Sequence, residues 1–369
     1  MLIYLITFFG SYCLLVYAEK VKTKRMHVFI SLIAILIPSI LAGLRDYSIG
    51  TDIEVYGNIW FRNAVDAASS NNIRGYIQRA VNSDIGALYA LLNYIVAKCT
   101  SNAHWFYFVL SFLTTGLVYK AASDNDDIVN APFAMLVYYF LFYNQSLNIL
   151  RQGLALVFVL CSFKSIRDGK IIKFIVWTLL GYMVHLTAIV GVVLLIVYKV
   201  VNSKLKVYAK GAILVATIVV VAEFSYVLNF LIGLGILSSK YEMYGTTFQR
   251  GGGYIRLFFL CLPNLILLFL LIKKNIAKKE TEALKFYVVI ATAISFLAFR
   301  MTYITRMALY FDMLLVISIP LTCDNMKYKI VNNKSNMNRW GVIAYLLFYW
   351  IFVYVHRNSG ETVPYMFFW

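Results

Sequence analysis

Charge is scarce in this chain. Only 14% of its 369 residues are Asp, Glu, Lys or Arg, against about 25% in an ordinary soluble domain. That shortage excludes a soluble globular enzyme. Proline is rarer still, with five residues, while 17% of the chain is aromatic, which excludes a disordered polymer. The five cysteines (Cys13, Cys99, Cys161, Cys261, Cys323) lie in or beside apolar runs and form no Cys-x-x-Cys pair. Neither a disulfide framework nor a zinc site is indicated. The four histidines are dispersed, and a His-Glu-x-x-His pair, a phosphate-binding Gly-x-x-x-x-Gly-Lys loop and a Gly-x-Ser-x-Gly elbow are all missing.

What is present is apolar. Hydrophobic residues make up 61% of the sequence, and the mean hydropathy is +0.74. Runs of about 15–20 apolar residues recur from end to end, each long enough to cross or nearly cross a hydrocarbon core. The expected fold is an all-α polytopic membrane protein of about 11–13 transmembrane helices. It forms one domain over residues 1–369, with polar external segments at 45–84 and 225–254. The net charge of +17 does not point to nucleic acid. More than half of the 34 Lys and Arg residues fall in five short connectors, at 19–27, 164–173, 199–210, 273–285 and 323–339. Such clusters mark the cytoplasmic side of a polytopic chain. The first apolar run precedes its basic residues, so it reads as a retained span rather than a cleaved signal.

One count fails to close. Between Arg45, placed outside, and Lys164, placed inside, the number of crossings must be odd, yet four apolar runs are available (85–97, 103–120, 131–147 and 149–165). The shortest, 85–97, is the expected non-spanning element. Backbone that stops at membrane depth survives only against protein or a water-filled cavity.

Five polar groups interrupt this pattern on the external side. The first, LRDYSIGTDIEVY, holds Arg45, Asp46, Gly50, Asp52 and Tyr56, with Asp52 placed to cap a short helix. The second, SLNILRQG, holds Asn148, Arg151 and Gln152. Here Arg151 breaks apolar sequence near a span boundary, where a charge is costly and a functional role is the default reading. The third, GYMVHLTAIV, sets His185 between two runs too short for comfortable single spans. The fourth, KYEMYGTTFQRGGGYIR, holds Tyr241, Tyr244 and Arg250 beside a glycine triplet. The fifth, FRMTYITRMALYFD, holds Arg300, Arg306, Tyr310 and Asp312, with Asp312 expected to pair across helices. Arginines kept on the side where topology disfavours them point to an anionic ligand, and a guanidinium fork suits phosphate.

The order R-x-Y-x-x-G-T-D-x-x-x-Y (45–56), L-R-Q-x-x-A (150–155), H-x-T-A (185–188), R-x-x-x-Y-F (306–311) and V-P-Y (363–365) resembles the EpsG-like family of Wzy-type polysaccharide polymerases. That resemblance implies a metal-independent, cofactor-free glycosyltransferase of GT-C type in the bacterial inner membrane, with its active site facing the periplasm. It would join undecaprenyl-diphosphate-linked repeat units into O-antigen or exopolysaccharide, moving the growing chain onto the incoming unit. A chain-length regulator and a flippase are the implied partners besides the bilayer. Arg45, Arg151, Arg250 and Arg306 would bind the diphosphate, with Arg45 also shaping the site. Asp52 or His185 would take the acceptor proton, Asp52 being preferred. Tyr56, Gln152, Tyr241, Tyr244, Arg300 and Tyr310 would line the glycan or the lid. The competing readings are a lipid-linked oligosaccharide flippase, an O-antigen ligase and an organic-anion transporter.

Overall fold

The computed structural model describes residues 1–234, 258, 261–268, 279–297, 304–324 and 333–369. The chain is helical and polytopic, and it divides into two compact units. One comprises Met1–Ile189 with Ile319–Trp369, the other Val190–Ser318. Five stretches among the described residues are long and apolar enough to cross a membrane: Leu2–Lys20, Lys24–Gly43, Ala103–Asp124, Arg306–Cys323 and Arg339–His356.

In the first unit, α1 (Leu2–Lys20) and α2 (Lys24–Gly43) form a hairpin closed by a basic turn. Pro38 lies inside α2 and supplies no N–H, so the carbonyl of Ala34 one turn earlier loses its usual donor. The Ser11 hydroxyl of α1 donates to that oxygen at 2.7 Å. A π-helical turn, Ile53–Asn58, then leads into α3 (Ile59–Ser69), α4 (Ile73–Asn82) and α5 (Ala87–Ala97). Next come α6 (Ala103–Asp124) and α7 (Ala131–Tyr138). A second π turn, Tyr139–Tyr143, carries α7 into α8 (Asn144–Asn148). After a break at Ile149, α9 (Leu150–Arg167) runs back, followed by α10 (Ile171–Val184).

Contacts at the helix ends fix the direction of each. Asn130, ahead of α7, donates to Glu19 at the basic turn, and Arg167, closing α9, pairs with Asp127 at 2.6 Å. At the other end, His104 of α6 bonds the Gly43 carbonyl, and Asn148 of α8 holds Thr51. So α6, α7–α8 and α9 each run the length of the bundle, which makes three crossings. The element α5 does not cross. Gly86, before it, lies against the carbonyls of Met183 and Val184, and the chain after it reaches His104, at the same end. Its eleven residues extend only about 16 Å, so the odd count is satisfied with 85–97 as the non-spanning run.

Of the α9 residues, only Arg151, Phe158, Lys164 and Arg167 escape burial. This central helix carries three basic residues near its ends, which is why length and hydropathy alone pass it over. The packing around it is aromatic. Phe8 stacks on Tyr139 with centroids 5.3 Å apart, and Tyr4 and Phe8 each meet Trp350 edge-on. Trp350 lies in the last helix of the unit, where its Nε1 donates to Asn144 at 2.7 Å.

The approach of Gly86 to α10 is tight enough that an added Cβ would run into backbone carbonyl oxygens. Gly86→Ala is therefore expected to destabilise the unit by about 1–3 kcal/mol, the usual cost of overpacking. Thermal unfolding in detergent would show this as a lowered midpoint, and an unchanged midpoint would refute the contact.

In the second unit, α11 (Val190–Val201), α12 (Val207–Ala222) and α13 (Phe224–Gly233) are followed by helical residues 261–268, α14 (Lys279–Leu297) and α15 (Ile304–Asp312). The Tyr287 hydroxyl of α14 donates to the Leu194 carbonyl of α11 at 2.7 Å. Most of the 225–254 segment lies outside the described residues.

Candidate functional site

The Arg45 end of the first unit is built on the loop that follows α2. Arg45 itself is 1% exposed. Its Nη1 donates to the Leu147 carbonyl at 2.8 Å, and its guanidinium carbon lies 4.8 Å from the Tyr107 ring centroid. Burial pulls its pKa below the ordinary arginine value, with the neighbouring tyrosines working in the opposite direction. A guanidinium still keeps its proton under such a pull. The guanidinium thus ties the external loop to the end of α8.

Two residues make the next turn possible. Gly50 has φ +97°, a left-handed value that favours glycine, and a Cβ there would sit 2.9 Å from the Leu147 carbonyl. Asn148 then gathers the turn. Its Oδ1 accepts from the Thr51 backbone at 2.8 Å, the Thr51 hydroxyl at 2.7 Å and the Asp52 backbone at 3.3 Å. Asp52 occupies the N-cap position of the π turn as expected, but its side chain makes no capping bond. Its half-buried carboxylate is held in place through its own backbone.

Four residues on, Tyr56 offers its ring to Arg151, whose guanidinium carbon lies 3.9 Å from the centroid. Such a contact contributes about 0.5–2 kcal/mol and fixes the plane of the fork. Arg151 Nη1 donates to the Asp84 carbonyl at 2.7 Å. Asp84 adopts φ +59°, a left-handed conformation uncommon for a residue with a side chain and often found at functional sites. Among the described residues, no carboxylate lies within ion-pair distance of Arg151. Gln152, beside it, is buried.

The break at His185 falls where the two short apolar runs meet. Residue 185 is extended (φ −153°, ψ 126°), α10 stops at Val184, and a 3-10 turn follows over Leu186–Ile189. The Thr187 N–H points at His185 Nδ1 at 3.4 Å, and the Thr187 hydroxyl lies 2.7 Å from the same nitrogen. The two contacts hold the imidazole at the break. Residues 84–86 join this break to Arg151, because Asp84 meets the arginine and Gly86 meets Val184.

The C-terminal tail closes the loop from the far side. Arg45 and Phe367 form an isolated antiparallel bridge, Asp46 N–H donates to Met366, and Gly50 N–H donates to Glu361. The Tyr365 hydroxyl donates to Leu41 at 2.6 Å, and Phe368 stacks on His104 with centroids 4.0 Å apart. In the sequence only the V-P-Y motif marks this segment.

The first unit thus gathers Arg45, Asp52, Tyr56, Arg151, Gln152 and His185 at one end. Arg306 and Tyr310 belong to the second unit, on α15. There Tyr310 is buried, and Asp312 accepts from Asn264 Nδ2 at 2.6 Å across helices. Arg250, Arg300, Tyr241 and Tyr244 lie outside the described residues. Asn148 is the positioning residue that the sequence reading named without a role.

Among curated proteins and among solved structures, nothing matches the chain. A family model does match, over residues 28–367, a stretch that takes in every residue of this loop, α8–α9 and His185; the chain belongs to the EpsG family.

Proposed function

We propose that this protein is a Wzy-type polymerase that joins undecaprenyl-diphosphate-linked repeat units at the periplasmic face of the inner membrane. Membership of the EpsG family supports a polysaccharide-polymerase-like role in general. The observation that carries the finer reading is Arg151, stacked on Tyr56 and free of any carboxylate within ion-pair distance among the described residues, beside the anchored Asp52 turn.

In the proposed reaction a hydroxyl of the incoming unit attacks the anomeric carbon of the growing chain. The new glycosidic C–O bond forms as the bond to the diphosphate oxygen breaks, and undecaprenyl diphosphate leaves with the electron pair. Asp52 accepts the hydroxyl proton, since its carboxylate is the held acidic group of the turn. Arg151 meets the charge that grows on the leaving diphosphate, a contact that strengthens in the transition state and so speeds the step. His185, at the break joined to Arg151 through residues 84–86, serves the phosphate rather than the hydroxyl. Arg45 and Asn148 act through the loop that they position. For Arg250, Arg300, Arg306, Tyr241, Tyr244, Gln152 and Tyr310 the reading rests on the sequence pattern alone.

The test is a gel of surface polysaccharide from a strain lacking the gene. Lipid cores bearing one repeat unit, with the ladder gone, are expected: export and ligation proceed and polymerisation fails. Loss of every repeat unit would turn the reading to a flippase or ligase, and an unchanged ladder would refute it.

A further inference from the structure

The opposite end of the first unit holds a second polar feature, a cavity of about 490 Å³ between α6, α9 and α10. Its walls include Lys120, Lys164, Lys170 and Lys173 against only two carboxylates, Asp124 and Asp168. Lys120 pairs with Asp124 at 2.8 Å, and Asp168 takes both Lys170 at 3.0 Å and Lys164 at 3.3 Å. Lys173 makes no ion pair among the described residues, so the wall is left with positive charge in excess. The first turn of the fourteen-residue helix α10 opens here too, its N-cap Lys170 making no side-chain capping bond. Unsatisfied N–H groups at such an end favour an anion.

The apolar part of the cavity has a direction. Ile172 and Val176 belong to its wall, yet they are 75% and 50% exposed. With Ile175 and Leu179, also exposed, they follow helical spacing and make one apolar stripe that starts at the cavity and runs along α10. On a membrane-crossing bundle that stripe faces hydrocarbon. Trp177 stands at the junction, 5.9 Å from Lys120 Nζ, as amphipathic rings do at the level of lipid headgroups.

We propose that this cavity holds the phosphate headgroup of an anionic phospholipid, with its acyl chains along the Ile172 and Val176 face of α10. A phosphate among the lysines neutralises the excess charge and competes only with half-exposed ion pairs, which are weak. Basic pockets between helices on the side of a membrane protein rich in positive charge suit such headgroups. A zwitterionic lipid brings its own cation toward the lysines and is disfavoured. A soluble phosphate has no use for the apolar stripe.

The full-length protein would be reconstituted in vesicles of phosphatidylglycerol or of phosphatidylcholine, extracted in detergent, and examined by native mass spectrometry for retained lipid. Phosphatidylglycerol is expected to remain about tenfold more often than phosphatidylcholine. Lys120→Gln/Lys173→Gln should remove that preference, and Lys173→Gln alone, at an exposed position, should weaken it where the double variant fails to fold. Equal retention of the two lipids by the unaltered protein would overturn the proposal, as would a preference that survives both variants. Displacement of phosphatidylglycerol by inorganic phosphate at equal concentration would mean a soluble-anion site and would overturn it also. Because lipid retention is read rather than polymer, the result is independent of the reaction proposed at the other end.

Discussion

Arg151→Lys is expected to lower polymer formation by at least about 100-fold, the scale of losing one donor to developing negative charge. The substitution keeps the positive charge, so long-range attraction of a diphosphate is retained. What it removes is geometry. The guanidinium lies over the Tyr56 ring with one nitrogen fixed on the Asp84 carbonyl, which sets the direction of the rest of the planar fork. A lysine ammonium is a point charge on a flexible stem, without a plane to stack or a bidentate edge to present. The measurement is the polysaccharide ladder beside an immunoblot of membrane protein. Normal protein level with the ladder lost supports the clamp. A normal ladder would show that charge alone suffices at this position, or that phosphate binds elsewhere.

Much of the frame that holds Arg151 was legible in the sequence. Apolar run lengths and the placement of lysine and arginine fix the order of α1, α2, α6, α7–α8 and α9. The parity of crossings requires that one of four runs not span, shortness makes 85–97 the candidate, and the structure puts Gly86 before it and His104 after it at the same end of the bundle. The break at His185 is equally local: two runs, each short for a single span, meet there, and α10 stops at Val184. The surroundings of Arg45 are less legible, because only the tertiary fold brings the Leu147 carbonyl, 102 residues on, and the Tyr107 ring to its guanidinium. The tail is illegible on the same ground. Its bridge from Phe367 to Arg45 spans most of the chain, and no periodicity in residues 357–369 encodes a partner so distant.

Asn148 is where these long-range ties converge, and its substitution tests them together. One oxygen accepts three hydrogen bonds from Thr51 and Asp52. Each such bond contributes roughly 1 kcal/mol net, so Asn148→Ala releases the turn that carries the proposed base. Polymer formation in membranes supplied with lipid-linked repeat units is expected to fall on the order of 10- to 100-fold. Asn148→Asp separates positioning from general destabilisation. A carboxylate oxygen accepts the same three donors, so the turn stays in place and most of the lost rate returns. The added negative charge beside Asp52 disfavours its ionised form and raises its pKa. Activity that depends on ionised Asp52 then sets in at higher pH in Asn148→Asp than in the unaltered protein. An upward displacement of the acid limb supports both the anchoring by Asn148 and the role of Asp52 as the base. Recovery of rate with an unmoved limb would retain the anchor and reject Asp52, and the failure of Asp to restore more rate than Ala would reject the anchor itself.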